Sequence, residues 1–143
     1  MRLSLFAFLM TLSTPALSGG IEITDPMVPA APPAVKAHAG FMTLTNTGAT
    51  KRSLIGVSAA GYHMAHLHKS EEKDGIATMS AVHQLDIEPG QTVMFEHGGL
   101  HVMLMHPTTP LSEGGAVTMT LTFADGEEVT VTAPIVKMHD HGS

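Results

Sequence analysis

The sequence predicts an all-β domain, an antiparallel sandwich or barrel, on three observations. From Gly40 to Val136 the chain breaks into short runs in which apolar and polar residues alternate. Turn-forming pairs punctuate these runs: Thr47-Gly48, Asp74-Gly75, Pro89-Gly90, Gly98-Gly99 and Asp125-Gly126. No window of the same stretch carries the 3.6-residue apolar period of an amphipathic helix. Many short strands at this spacing make a sandwich or barrel.

Taken in order, residues 25–35 (DPMVPAAPPAV) hold four prolines, which favour extended, irregular chain. Residues 19–36 are therefore expected as a proline-rich arm, and residues 37–136 as the domain. Phe41–Asn46 alternates and ends at Thr47-Gly48. Arg52–Val57 is broken by Ala59-Ala60-Gly61, and Tyr62–His68 follows. Asp74-Gly75 is a hairpin signal, because both residues tolerate the left-handed backbone of a type I′ turn. It leads into Ile76–Val82. Leu85–Ile87 is brief, and Glu88-Pro89-Gly90-Gln91 turns the chain. Thr92–Phe95 and Leu100–Met105 flank Gly98-Gly99. Ala116–Phe123 alternates cleanly, Asp125-Gly126 turns, and Glu128–Val136 closes the domain. Met42, Met94 and Met119 sit among apolar neighbours and are expected in the core. His38 and His83 are expected at the surface.

At 143 residues, one domain is the default. Its first segment reads as an export signal. Met1-Arg2 is a positive start, Leu3–Leu12 is apolar apart from Ser4 and Thr11, and Ala16-Leu17-Ser18 supplies the small residues of a cleavage site. The run is too short to span a bilayer. Residues 1–18 are thus expected as a secretory signal peptide, the mature protein as periplasmic, and no part of it as inserted in the membrane. A mature domain of this size buries about two thirds of its unfolded surface.

Loss of Arg2 leaves six Lys/Arg against thirteen Asp/Glu, an acidic balance that argues against nucleic acid as a partner. Only Phe41, Tyr62, Phe95 and Phe123 remain as aromatics, too few for a base-stacking platform. The chain has no cysteine. No disulfide holds it, and it cannot form a blue-copper site, which needs a thiolate.

Two short clusters carry most of the chemical information. The first reads Tyr62-His63-Met64-Ala65-His66-Leu67-His68, the second His101-Val102-Met103-Leu104-Met105-His106. Side chains alternate across a strand. Leu100, Val102 and Leu104 then share a core face, and His101, Met103 and Met105 share the other. Ala65 and Leu67 likewise oppose Met64, His66 and His68. Imidazoles and thioethers stand where a one-sided sheet would show Thr, Lys or Glu. A set of imidazole nitrogen and thioether sulfur suits monovalent copper. Packing is the competing account, since methionine commonly fills cores.

His68, ten residues, Met79, twenty-one residues, then His101-Val102-Met103 resembles the copper-ligand signature of the periplasmic copper chaperone family PCu(A)C. Phe41–Gly48 resembles the early strand of that family, and Asp74-Gly75 with Met79 its hairpin. Pro89-Gly90, Gly98-Gly99-Leu100-His101 and Pro110-Leu111 before Gly114 also fit. The resemblance covers roughly residues 25–136. It implies a cupredoxin-like antiparallel β-sandwich of Greek-key type. It also implies one copper(I) near the surface, held by His68, Met79, His101 and Met103. The implied role is delivery of copper to cytochrome c oxidase assembly, with the copper-site subunit or another copper chaperone as partner.

The chain departs from the family pattern at Met27, His66, Lys69 and His97. His66, His97 and His106 are surplus imidazoles near the site, either extra ligands or solvated surface groups.

The expectation is a carrier, not an enzyme. No Ser–His–acid arrangement or phosphate-binding glycine loop stands out. The best enzymatic alternative is a cupin-like manganese or iron enzyme using His66, His68 and Glu72. Against it stand the glycine spacing around that pair and the missing second cupin histidine. The tail Met138-His139-Asp140-His141 is a second candidate site, since imidazoles and a carboxylate suit copper(II). Deleting residues 137–143 should remove a copper(II) site and leave copper(I) binding intact. Unchanged copper(II) stoichiometry in equilibrium dialysis would rule the tail site out.

Overall fold

The computed structural model describes residues 20–137. The expected signal peptide and the tail residues 138–143 lie outside them. Ten strands follow in order: β1 (Ile21–Pro29), β2 (Ala37–Asn46), β3 (Arg52–Ala59), β4 (Tyr62–Lys73), β5 (Ile76–Ala81), β6 (Leu85–Ile87), β7 (Thr92–Phe95), β8 (Leu100–Pro107), β9 (Ala116–Phe123) and β10 (Glu128–Val136). There is no helix among the described residues.

The strands join in the order β5-β4-β8-β2-β1-β10-β9-β3-β6, and β7 also pairs with β2. Every pairing is antiparallel except β1 with β10. β2 and β1 each change partner along their length. β2 pairs with β8 over Ala37–Gly40 and with β7 over Met42–Thr45. β1 starts on β2 and ends on β10, where Val28 meets Ile135 and Pro29 meets Val136. These transfers fold one continuous ladder into the two layers of the expected cupredoxin-like sandwich. β5-β4-β8-β2-β1 makes one layer, β10-β9-β3-β6 the other.

The arm expected over residues 19–36 is mostly a strand. β1 lies inside the sheet, and only residues 30–36 stay irregular before β2. The prolines occupy positions that tolerate them. Pro26 falls in a β-bulge between Thr24 and Met27, beside Asp25 at φ 51°, and Pro29 is the last residue of β1. A bulge or strand end has no ladder bond for the missing N–H to break.

The core follows the alternation. Val117, Met119, Leu121 and Phe123 on β9 are buried while Thr118, Thr120 and Thr122 turn away from that face. Met42, Leu44, Val102 and Leu104 meet them from the other layer. Met94, expected in the core, is instead 56% exposed. On β7 it is Val93 and Phe95 that turn inward, so period two sends Met94 out beside the exposed Thr92.

Arg52 and Asn46 are among the buried polar residues with partners. The Arg52 guanidinium lies 3.1 Å from Glu127 and 3.3 Å from Asp125, and stacks over Phe123 at 4.8 Å. Asn46 is fully buried at the end of β2. Its Nδ2 donates to the Ile87 carbonyl at 2.9 Å and the Thr50 carbonyl at 2.8 Å, and its Oδ1 accepts from Gly48 N–H at 3.0 Å. The side chain ties the end of β2 to β6 and to the loop before β3. Asn46→Ala should lower the unfolding free energy by about 2–4 kcal/mol, because groups that it satisfies lose their partner. Urea denaturation reads this directly. A loss below about 0.5 kcal/mol would mean that these bonds carry no net stability.

Candidate metal centre

The β4–β8 ladder places the two clusters side by side. His68 stands opposite His101, His66 opposite Met103, and Met64 opposite Met105. The core stripe enforces this register. Leu67 on β4 and Val102 and Leu104 on β8 are buried on one face, so the histidines and methionines must share the other. A slip of one residue would bury the donors and expose the core.

The hairpin adds Met79. Asp74 and Gly75 adopt φ 55° and 76°, the left-handed pair expected there, and they return the chain as β5. Met79 faces Ser70, and Ala81 faces His68. Since Ser70 is two residues beyond His68, Met79 shares its face and lies diagonal to it. The structure therefore gathers His68, Met79, His101 and Met103 on one face of three adjacent strands.

The imidazoles are set differently. The rings of His68 and His101 lie 6.0 Å apart, inclined at 63°. His101 is buried, and its Nδ1 lies 3.0 Å from the Gly99 carbonyl. Nδ1–H donates there, which fixes the tautomer and leaves Nε2 with a free lone pair. His68 Nδ1 is buried and has no hydrogen-bond partner among the described residues. An unpartnered buried nitrogen is costly, and in a native site it calls for a ligand. Burial pushes the His68 pKa below its ordinary 6.5, and the neighbouring His101 and His66 lower it further. The ring is thus held neutral, the form that donates to a metal.

Beside these groups opens a cleft of about 500 Å³, lined by Met79, His101 and Met103 together with Phe41, Glu72 and His97. Met79 is 52% exposed at its edge, whereas Met103 is half-buried. The donor set runs from a seated imidazole to an open thioether. Of the surplus imidazoles, His66 is exposed and its ring stacks on His68 at 6.2 Å. His97 is exposed at the cleft, and His106 is exposed next to the end of β8, at φ 54°. His83 is exposed, as expected.

His38 is not at the surface, as expected, but 5% exposed. It pairs with Leu104, so alternation turns it to the core face while Ala37 and Ala39 flank the donors. Its Nδ1 lies 2.8 Å from the Tyr62 hydroxyl, tying β2 to β4 across β8. The sequence signal for it was Leu104, whose inward face His38 must share once β2 and β8 pair. Burial lowers the His38 pKa, opposed by a hydrogen bond to the Val35 backbone, and burial raises that of Tyr62. The cupin alternative fails on geometry. Among the described residues, no three His, Cys, Asp or Glu side chains converge to hold a metal, so His66, His68 and Glu72 do not form a site.

With this geometry in place, the chain can be set beside known proteins. The sequence profile of LpqE-like lipoproteins matches residues 21–135. The chain belongs to this LpqE-like, or PCuAC, family. A lipoprotein-like relative, Lxx21020 of Leifsonia xyli subsp. xyli (strain CTCB07), is 31% identical over 117 residues, covering 81% of this chain and 69% of that protein. The copper-bound PCuAC domain from PmoF2 superposes with a TM-score of 0.70 at 25% identity, covering 85% of this chain and 96% of that one. The copper(I) form of DR1885 from Deinococcus radiodurans gives 0.63 at 34% identity, covering 78% and 75%.

In this PCuAC chain the half-buried imidazole of His68 offers a direct check. His68 should titrate below the ordinary value of 6.5, because both burial and its imidazole neighbours disfavour its charged form. A pH series of imidazole ¹H–¹³C spectra on the metal-free protein reads the midpoint. A midpoint at or above 6.5 would contradict this partial desolvation of the ring.

Proposed function

We propose that the protein is a copper chaperone that carries copper(I) on His68, Met79, His101 and Met103 in the periplasm. Its proposed destination is cytochrome c oxidase assembly, directly at the copper-site subunit or through another copper chaperone. The observation that carries this reading is the unpartnered, buried Nδ1 of His68, beside His101 and flanked on the same face by two thioethers. Family membership supports the copper-chaperone role, and the lipoprotein-like names of relatives support a place in the cell envelope.

The chemistry favours a carrier. Two neutral imidazoles and two neutral thioethers leave a bound copper(I) with its single positive charge, and soft sulfur selects it over zinc or magnesium. Without the anionic hold of thiolates, the ion can pass to an acceptor by stepwise exchange of donors. Met79, open at the cleft edge, is the donor that an incoming ligand replaces first, while His101 stays seated. The tail Met138-His139-Asp140-His141 is proposed as a separate capture point for copper(II).

Anaerobic copper(I) titration against a competing chelator tests the site. Wild type should show one tight equivalent, and Met79→Leu and Met103→Leu should each weaken it by about tenfold or more, since even indirect supports of a metal site cost that much. X-ray absorption of the loaded protein should show nitrogen and sulfur scatterers together. Wild-type affinity in both variants, or a shell of nitrogen and oxygen alone, would refute the assignment.

A further inference from the structure

The donor face does not stop at the proposed copper site. Below the His68–His101 rung lie His66 opposite Met103 and then Met64 opposite Met105, all on the same face of β4 and β8. Three consecutive rungs thus carry only imidazoles and thioethers. Directly opposed residues bring their Cβ atoms to about 5 Å, and diagonal neighbours to about 7–8 Å, within reach of methionine and histidine side chains. We propose that Met64, His66 and Met105 form a second, weaker copper(I) site adjoining the first. The inference rests on the copper-carrier reading and extends it from one ion to two neighbouring ones.

Several observations converge on this rung. None of the three side chains serves the core, which is built from Ala65, Leu67 and Leu104 on the reverse face. Met64 is 44% exposed, His66 is exposed as well, and Met105 is half-buried but does not pack against the core cluster. Packing therefore does not account for a methionine pair at this place. The neighbouring strand leaves the donors room, since Ala37 faces Met105 and Ala39 faces Met103 across β2. The His66 ring lies nearly parallel to that of His68 with centroids 6.2 Å apart, so it stands beside the first site. Two thioethers and one imidazole make a three-donor soft set, which suits copper(I) and disfavours magnesium or calcium.

The two sites would interact. Residues two apart on a strand are separated by about 7 Å. Two single charges at that distance repel, and for an effective dielectric between that of water and that of a protein surface the second ion binds about three- to fiftyfold more weakly. Met103, opposite His66, stands between the two positions and can lean to either. An ion captured at Met64 and Met105 then has a short path of like donors to His68 and His101.

The test is anaerobic copper(I) titration of the full chain with a graded series of competing chelators. Wild type should bind a tight equivalent and a second, weaker one. Met64→Leu/Met105→Leu, which nearly conserves volume, should lose the weaker equivalent and keep the tight one unchanged. A full-length variant with Met138→Leu, His139→Ala and His141→Ala should keep both. His66→Gln gives an independent reading should the double variant fold poorly. Methyl ¹³C spectra of wild type should shift the Met64 and Met105 signals only as the second equivalent is added. Saturation of wild type at one equivalent, or persistence of the second in the double variant or its loss with the tail residues, would overturn this inference and leave the first site standing. No copper(I) bound at all would overturn the carrier reading itself.

Discussion

Everything at the donor face follows from the pairing register of β4 with β8. Burial of Leu67, Val102 and Leu104 decides which way each strand faces, because exposing three such side chains would cost about 5 kcal/mol or more. That apolar contact, and no attraction between the donors themselves, sets His68 opposite His101. The hairpin turn at Asp74-Gly75 then determines that Met79 returns on the same side. The proposed metal centre is in this way a by-product of core formation. Donors are positioned before any ion arrives, on strands that the sandwich already holds rigid.

Such preorganisation has a local cost at His68. Its Nδ1 is buried without a partner, while His101 satisfies its own Nδ1 through Gly99. The contrast separates two jobs. One imidazole is fixed by the backbone and presents a single nitrogen. The other is left short of one bond, so a soft cation gains more there than it would from a fully solvated ring. Its lowered pKa points the same way, since a proton then competes less well for the lone pair.

Much of this was readable from the residues. Period-two alternation identified both faces of β4 and β8, and Asp-Gly placed the β4–β5 hairpin. The spacing of His68, Met79, His101 and Met103 carried the family resemblance, and the profile match over residues 21–135 agrees with it. What failed was the identity of neighbours. His38 lies between two alanines, and nothing local says that β2 will pair with β8 and turn it against Tyr62. Met94 lies between two apolar residues, yet only the pairing of β7 with β2 reveals that Val93 and Phe95 take the inward side. The prolines of residues 25–35 read as breakers, but a bulge and a strand end absorb two of them. In each case the missing information was long-range pairing, which local pattern does not encode.

The edge position of β5 has a consequence of its own. Among the described residues that strand pairs with β4 alone, and all six of its residues are exposed, whereas β8 lies between β4 and β2 with Val102 and Leu104 in the core. Local opening costs least where few apolar contacts must be broken. The hairpin can therefore fray and peel back, carrying Met79 with it, while His101 and Met103 keep their places on a strand that moves only if the whole sandwich melts. For the proposed carrier, unloading would then be mechanically lopsided: the cargo would be uncovered from one flank, and the protein that gives it up would remain folded.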